Sequence, residues 1–170
     1  MAWGSQGQGV GGVVNLEKAW EYLSTSPNKK ILDDLRNNQY SRAQAYSLLK
    51  GKIPGVGPAY FTKLLFFFSP QPNLYIMDQW TAKSINLLTG KNIVIIDPIL
   101  NKRTGKQTDA VSGRNKGANY EKYCEAIDEI AKHLKMAGDD VEEMLMSKGT
   151  VLKGSIPPEP WRQYVIEHYL

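Results

Sequence analysis

A carboxylate, an amine and a pair of glycines are the residues of this chain whose types and spacing can do chemistry. Asp78 follows Leu74-Tyr75-Ile76-Met77 and precedes Gln79-Trp80-Thr81-Ala82, so it stands where a helix begins. A carboxylate there can accept from the first backbone N–H groups and still face a cleft. Its charge would then stabilise a developing cation or orient an attacking nucleophile. Lys63 lies on another apolar stretch, beside Phe61, Leu64 and Leu65. Apolar neighbours disfavour an ammonium and favour the neutral amine, the nucleophilic form. Upstream of both, Gly55 and Gly57 occur in Ile53-Pro54-Gly55-Val56-Gly57-Pro58. Glycine lacks the Cβ that would hold an anion away from the backbone. A helix opened by Pro58 offers unpaired N–H donors and a positive dipole end. The pattern suits a phosphate gripped without any reading of bases.

The elements that must position these groups are mostly helical. Ser41-Arg42-Ala43-Gln44 has the form of a capping box and opens a helix through Lys50, with Ala45, Leu48 and Leu49 inward. Residues 51–57 form the turn. Pro58 to Phe68 is the second helix, which Ser69-Pro70-Gln71-Pro72 ends. Residues 42–68 thus read as a helix-hairpin-helix, with Gly55, Val56, Gly57, Lys50 and Lys52 as its candidate DNA contacts. Asp78 caps a helix from Gln79 to Leu88, and Gly90 can close it.

Upstream, Asn15 is expected to cap a helix with Leu16, Ala19, Trp20 and Leu23 on its inner face, followed by a short helix around Lys29 to Arg36. Downstream, residues 92–100 are apolar and β-branched, but Asp97-Pro98 interrupts them, so only a short extended segment is expected. Residues 101–117 lack periodicity and carry Lys102, Arg103, Lys106, Arg114 and Lys116, which reads as a loop, either solvated or DNA-facing. A long helix from Asn119 to Met136 directs Tyr120, Tyr123, Cys124, Ile127, Ile130, Ala131 and Leu134 inward. Asp139 or Asp140 caps another through Met146, and Glu159 to His168 is the last.

Composition bounds the rest. With 170 residues the chain suits one helical core domain, residues 1–170, of the all-α class. The formal net charge of +4 fits a polyanionic partner. One cysteine, Cys124, excludes an internal disulfide, a cysteine-rich zinc site and a four-cysteine iron–sulfur cluster. No apolar run approaches the roughly 20 residues of a membrane span, and the chain start lacks the form of a secretory signal. The expectation is a cytoplasmic, nucleoid-associated monomer that needs no cofactor and no membrane. His133 and His168 are isolated and are read as ligands of nothing.

Gly55-Val56-Gly57, the helix after it and the downstream aspartate resemble the helix-hairpin-helix DNA glycosylases of the 8-oxoguanine and endonuclease III superfamily. More narrowly, Gly57-Pro58-Ala59-Tyr60-Phe61-Thr62-Lys63-Leu64-Leu65-Phe66-Phe67 with Ile76-Met77-Asp78-Gln79-Trp80-Thr81-Ala82 is similar to bacterial proteins with an 8-oxoguanine glycosylase fold. Weaker echoes are Trp3-Gly4, Tyr120-x-x-Tyr123 and Asp140-Val141-Glu142. Those relatives run longer at the N-terminus, so the chain is expected to be a trimmed core.

The resemblance implies an enzyme that flips a nucleotide from double-stranded DNA and cleaves its bond to the sugar. Asp78 would then stabilise the oxocarbenium-like sugar. In bifunctional relatives a lysine two residues after the second glycine attacks the sugar. Ala59 occupies that position here, and Lys63 lies one helical turn further on. The resemblance also implies a structural K+ or Na+ on the carbonyls of Gly51, Ile53 and Val56. Trp80, Phe61 and Trp3 are candidates to stack on a flipped base, although each also suits a core. Two other readings remain open: a non-catalytic, sequence-independent DNA-binding module, and a helical protein-interaction domain.

Overall fold

Ser41 begins the helical pair as its sequence predicts. Its side chain accepts from the Gln44 N–H at 3.2 Å, while the Gln44 side chain accepts from the Ser41 N–H at 2.9 Å. The computed structural model describes the backbone of residues 10–100, 105, 107–146 and 160–169, and side chains from Glu17 onward except those of residues 26 and 27. Among the described residues there are eight helices and one two-stranded sheet. In chain order they are α1 (Val10–Ser24), α2 (Ser26–Asn37), α3 (Arg42–Leu49), α4 (Pro58–Phe68), α5 (Gln79–Thr89), β1 (Ile96–Leu100), β2 (Gln107–Val111), α6 (Gly117–Leu134), α7 (Gly138–Met146) and α8 (Pro160–His168). None of the described helices is long and apolar enough to cross a membrane.

The mostly helical class agrees with the sequence, and one addition corrects it. β1 and β2 pair antiparallel with Ile96 opposite Val111 and Leu100 opposite Gln107. Pro98 therefore lies inside a strand rather than interrupting one, and part of the expected 101–117 loop is strand. A two-stranded ribbon has only edges, where proline is tolerated. Much of it is exposed, so its residues show no alternation to read.

The core is built on rings. Tyr46 of α3 meets Phe61 of α4 edge-on at 4.8 Å and stacks on Tyr120 of α6 at 5.1 Å, and Tyr120 stacks on Tyr123 at 6.2 Å. All four are buried. Such ring pairs contribute about 0.5–1.5 kcal/mol each beyond their burial. Gly117 lets α6 approach α3, because a Cβ there would collide with the Ala43 carbonyl and the Ser47 hydroxyl. Arg42 to Asp128 (2.5 Å) and the Ala43 N–H to Glu121 (3.1 Å) join the same two helices.

Four helix details depart from expectation, the first being that Asp139 and Asp140, one of which was expected as a cap, both lie within the first turn of α7. Asn15 lies within α1 and is not its cap. Trp20, expected inward, is 66% exposed, whereas Ala19 and Leu23 are buried. Leu134, at the end of the α6 stripe, is 49% exposed because the stripe leaves the core there.

Candidate active site

Residues 74–77 lead into Asp78 without regular secondary structure, and no strand lies beside them. Buried backbone of that kind needs partners, and side chains from four helices supply them. The Ile76 N–H donates to Glu142 Oε1 of α7 (2.9 Å). The Ile76 carbonyl accepts from the Tyr123 hydroxyl of α6 (2.8 Å), the Thr81 hydroxyl of α5 (3.1 Å) and the Asp78 N–H (3.1 Å). One residue earlier the Tyr75 carbonyl accepts from the Tyr120 hydroxyl (2.8 Å). One residue later the Met77 N–H donates to Thr62 Oγ1 of α4 (3.1 Å), and that hydroxyl donates to the Pro58 carbonyl (2.7 Å).

Asp78 is the N-cap of α5, as its sequence position predicts. Its Oδ1 accepts from the Trp80 N–H (2.7 Å) and the Thr81 N–H (3.0 Å), and Thr81 Oγ1 returns the bond to the Asp78 N–H (3.1 Å). Both cap bonds end on Oδ1, and among the described residues no hydrogen bond reaches Oδ2. At its far end α5 closes on Gly90 in the left-handed conformation (φ 63°). One carboxylate thus caps a helix and keeps an oxygen for other work.

Lys63 is half-buried, and its Nζ lies 5.6 Å from the centre of the Tyr60 ring. The helix turns Phe61, Leu64 and Leu65 into the core. Thr62 and Met77, joined by their hydrogen bond, immediately precede Lys63 and Asp78. That single link brings the two candidate catalytic residues into one region. Glu142 belongs to the same region. Burial pushes its carboxyl up to about 8, and the charges of Asp78 and Asp139 push it the same way, while the Ile76 N–H and Lys63 act against them.

The turn between α3 and α4 holds Gly51 and Gly55 at positive φ (68° and 72°), where only glycine is unstrained. Gly57 is different: it caps α4 in ordinary extended backbone, and a Cβ there would meet nothing within 4 Å. Among the described residues nothing accepts from the N–H groups of Gly57 and Ala59. The Val56 N–H donates to the Ile53 carbonyl at 3.2 Å. Lys52 is exposed. Lys50 donates from its ammonium to the Asn115 carbonyl (2.5 Å) and ties the turn to the loop before α6.

Phe61, a candidate for base stacking, is 2% exposed and belongs to the ring core, which leaves no face for a base. Trp80 is half-buried, with the Arg162 guanidinium of α8 at 4.2 Å from its ring centre and the Lys83 ammonium at 5.5 Å. Trp3 lies outside the described residues. The sequence reading missed Thr62, Glu142 and the hydroxyls of Tyr120 and Tyr123 as parts of the site. A signal existed for Glu142: it follows buried Val141 and precedes buried Leu145 by three, so a charge sits on the inward stripe of α7.

Buried polar side chains thus clamp Asp78 at a helix start, next to an amine-bearing helix whose own start offers open N–H groups. No curated protein matches the chain, and no solved structure does. Residues 1–146 match the family described as "Putative 8-oxoguanine DNA glycosylase OGG-like protein". By that match over most of its length, the chain belongs to the OGG-like DNA glycosylase family.

Proposed function

We propose that this protein flips a damaged or modified base, 8-oxoguanine or one like it, out of double-stranded DNA and excises it with Asp78 and Lys63. The observation that carries the reading is the Met77 N–H to Thr62 Oγ1 bond, which couples the residue before Asp78 to the residue before Lys63. As the bond between base and sugar breaks, its electron pair leaves with the base and the sugar carbon becomes cationic. The Asp78 carboxylate stabilises that charge from a fixed position. Lys63, as the neutral amine, then forms a bond to the same carbon and gives up a proton. Opening of the sugar ring yields a Schiff base, and elimination of the neighbouring phosphate cuts the strand. Water in place of Lys63 gives base release without strand cleavage.

The start of α4 supplies the grip on DNA. Gly57 is a glycine that neither its backbone conformation nor its surroundings require, and it stands beside the open N–H groups of a helix start. A phosphate approaching there explains the missing side chain. Lys52 adds charge at the same turn. The carbonyls of Gly51, Ile53 and Val56 are hard oxygen donors on this turn and would hold K+ or Na+ as a purely structural ion, with the Ile53 carbonyl also accepting from the Val56 N–H.

The test is a panel of duplexes carrying 8-oxoguanine, uracil, hydroxymethylated cytosine or an abasic site. Alkali-revealed cleavage at the modified position supports excision, and cleavage without alkali supports the lyase step. Salt-sensitive binding with no cleavage on any duplex would favour the non-catalytic module.

A further inference from the structure

Glu142 is the most deeply buried acid of the site, 4% exposed, and the mechanism above does not use it. Its Oε1 accepts from the Ile76 N–H, two residues before Asp78. The same peptide's carbonyl accepts from Tyr123, Thr81 and the Asp78 N–H. Ile76 is therefore the point at which α5, α6 and α7 hold the segment that carries Asp78, and Glu142 is the α7 contribution. A neutral amide could satisfy that N–H without the cost of a buried acid. An ionisable group here calls for a reason.

The groups facing Glu142 give one. The charges of Lys63 on α4, Asp78 at the start of α5 and Asp139 on its own helix act on Glu142, and the phenols of Tyr120 and Tyr123 on α6 feel the charge of Glu142 in turn. Both phenols are held neutral by burial. Two neighbouring carboxylates cannot ionise independently when one is buried. With a proton on Glu142, the site's negative charge is confined to Asp78.

We propose that Glu142 is a positioning residue for Asp78: its Oε1 holds the 74–77 segment through the Ile76 N–H, its proton confines the site's charge to Asp78, and loss of that proton turns the site off. The proposal rests on the reading of Asp78 as the charged group of the reaction. Deprotonation would add a second anion to the site that holds Asp78. The site would thereby be silenced in alkali without any change in DNA grip, which lies at the start of α4.

Carboxyl 13C NMR of the full chain tests the coupling directly. In the wild type the Glu142 Cδ signal should titrate near pH 8, with a step in Asp78 Cγ at the same pH. In Glu142→Gln, which keeps an oxygen for the Ile76 N–H but cannot ionise, the Asp78 step should vanish. Single-turnover base release supplies the second readout. One pH unit above the Glu142 midpoint the wild type should lose about tenfold, whereas Glu142→Gln should stay within about twofold of its neutral rate. Glu142→Leu, which removes the acceptor, should be slow at every pH. An Asp78 signal that steps identically in Glu142→Gln, or a Glu142 that titrates like a surface glutamate, overturns the proposal. No base release from any duplex, with the two carboxyls still coupled, would leave the Glu142 link standing and defeat the catalytic reading of Asp78 instead.

Discussion

Replacing Thr62 by valine removes the link between α4 and the segment before Asp78 with little change of shape. Thr62 is fully buried; its Oγ1 accepts from the Met77 N–H at 3.1 Å and donates to the Pro58 carbonyl at 2.7 Å. Valine makes neither bond. The Pro58 carbonyl lies in the first turn of α4 and stays within reach of the helix's own N–H groups. The loss falls on Met77, whose buried N–H is left without an acceptor, at a cost of about 1–3 kcal/mol. For a chain of this size that lowers Tm by roughly 2–4 °C per kcal/mol, hence about 4–8 °C for the middle of the range. The same change frees the residue before Asp78. Misplacement of a catalytic group by about 1 Å costs on the order of 100-fold in rate. Urea denaturation and single-turnover base release, run on the same preparations, read both effects. A Thr62→Val protein as stable as wild type would refute the clamp. A destabilised protein with an unchanged rate would show that the helix cap alone positions Asp78.

Three more outcomes follow from the same geometry. Asp78→Ala loses two cap bonds and should cost about 1–2 kcal/mol in chemical denaturation, whereas Asp78→Asn, an equally good cap, should stay within a few tenths. Burial pushes the Glu142 carboxyl up to about 8 in the folded chain against 4.5 unfolded, so the native state binds the extra proton. The stability it contributes is complete below pH 4.5 and is lost as the pH rises to about 8; at 1.36 kcal/mol per unit the loss is at most ~5 kcal/mol, and Glu142→Gln should flatten that slope in urea titrations at pH 5 and 8.5. Borohydride should trap the wild type on a modified-base duplex as a covalent adduct, and Lys63→Ala should yield none; an undiminished adduct would remove Lys63 from the chemistry.

Much of this site could be read from the chain because its elements announce their own ends. Ser41 with Gln44 opens α3, Pro58 opens α4, and Asp78 and Gly90 bracket α5; each is a local rule with a local cause. The inward stripe of α6 was legible for the same reason up to Ala131, and failed at Leu134 because periodicity does not say where a helix leaves the core. The hairpin of β1 and β2 was not legible, since an exposed ribbon with Pro98 inside it has no alternation. Thr62 and Glu142 were missed for a different reason. Their roles depend on the backbone of residues 76 and 77, which lacks a strand partner, and no local pattern reports which distant N–H needs an acceptor. Lys50 shows the converse: a lysine beside a glycine-rich turn also serves a distant carbonyl, which no local pattern reports.

The central claim is that the Asp78 charge drives base excision while the α4 start holds the DNA. Single-turnover release of the free base, measured by mass spectrometry at saturating enzyme for wild type and Asp78→Asn, tests it most directly when paired with duplex affinity at the same salt. The account predicts release by the wild type, a loss on the order of 100- to 1000-fold in Asp78→Asn, and duplex affinity unchanged. Equal release by the two proteins would contradict it.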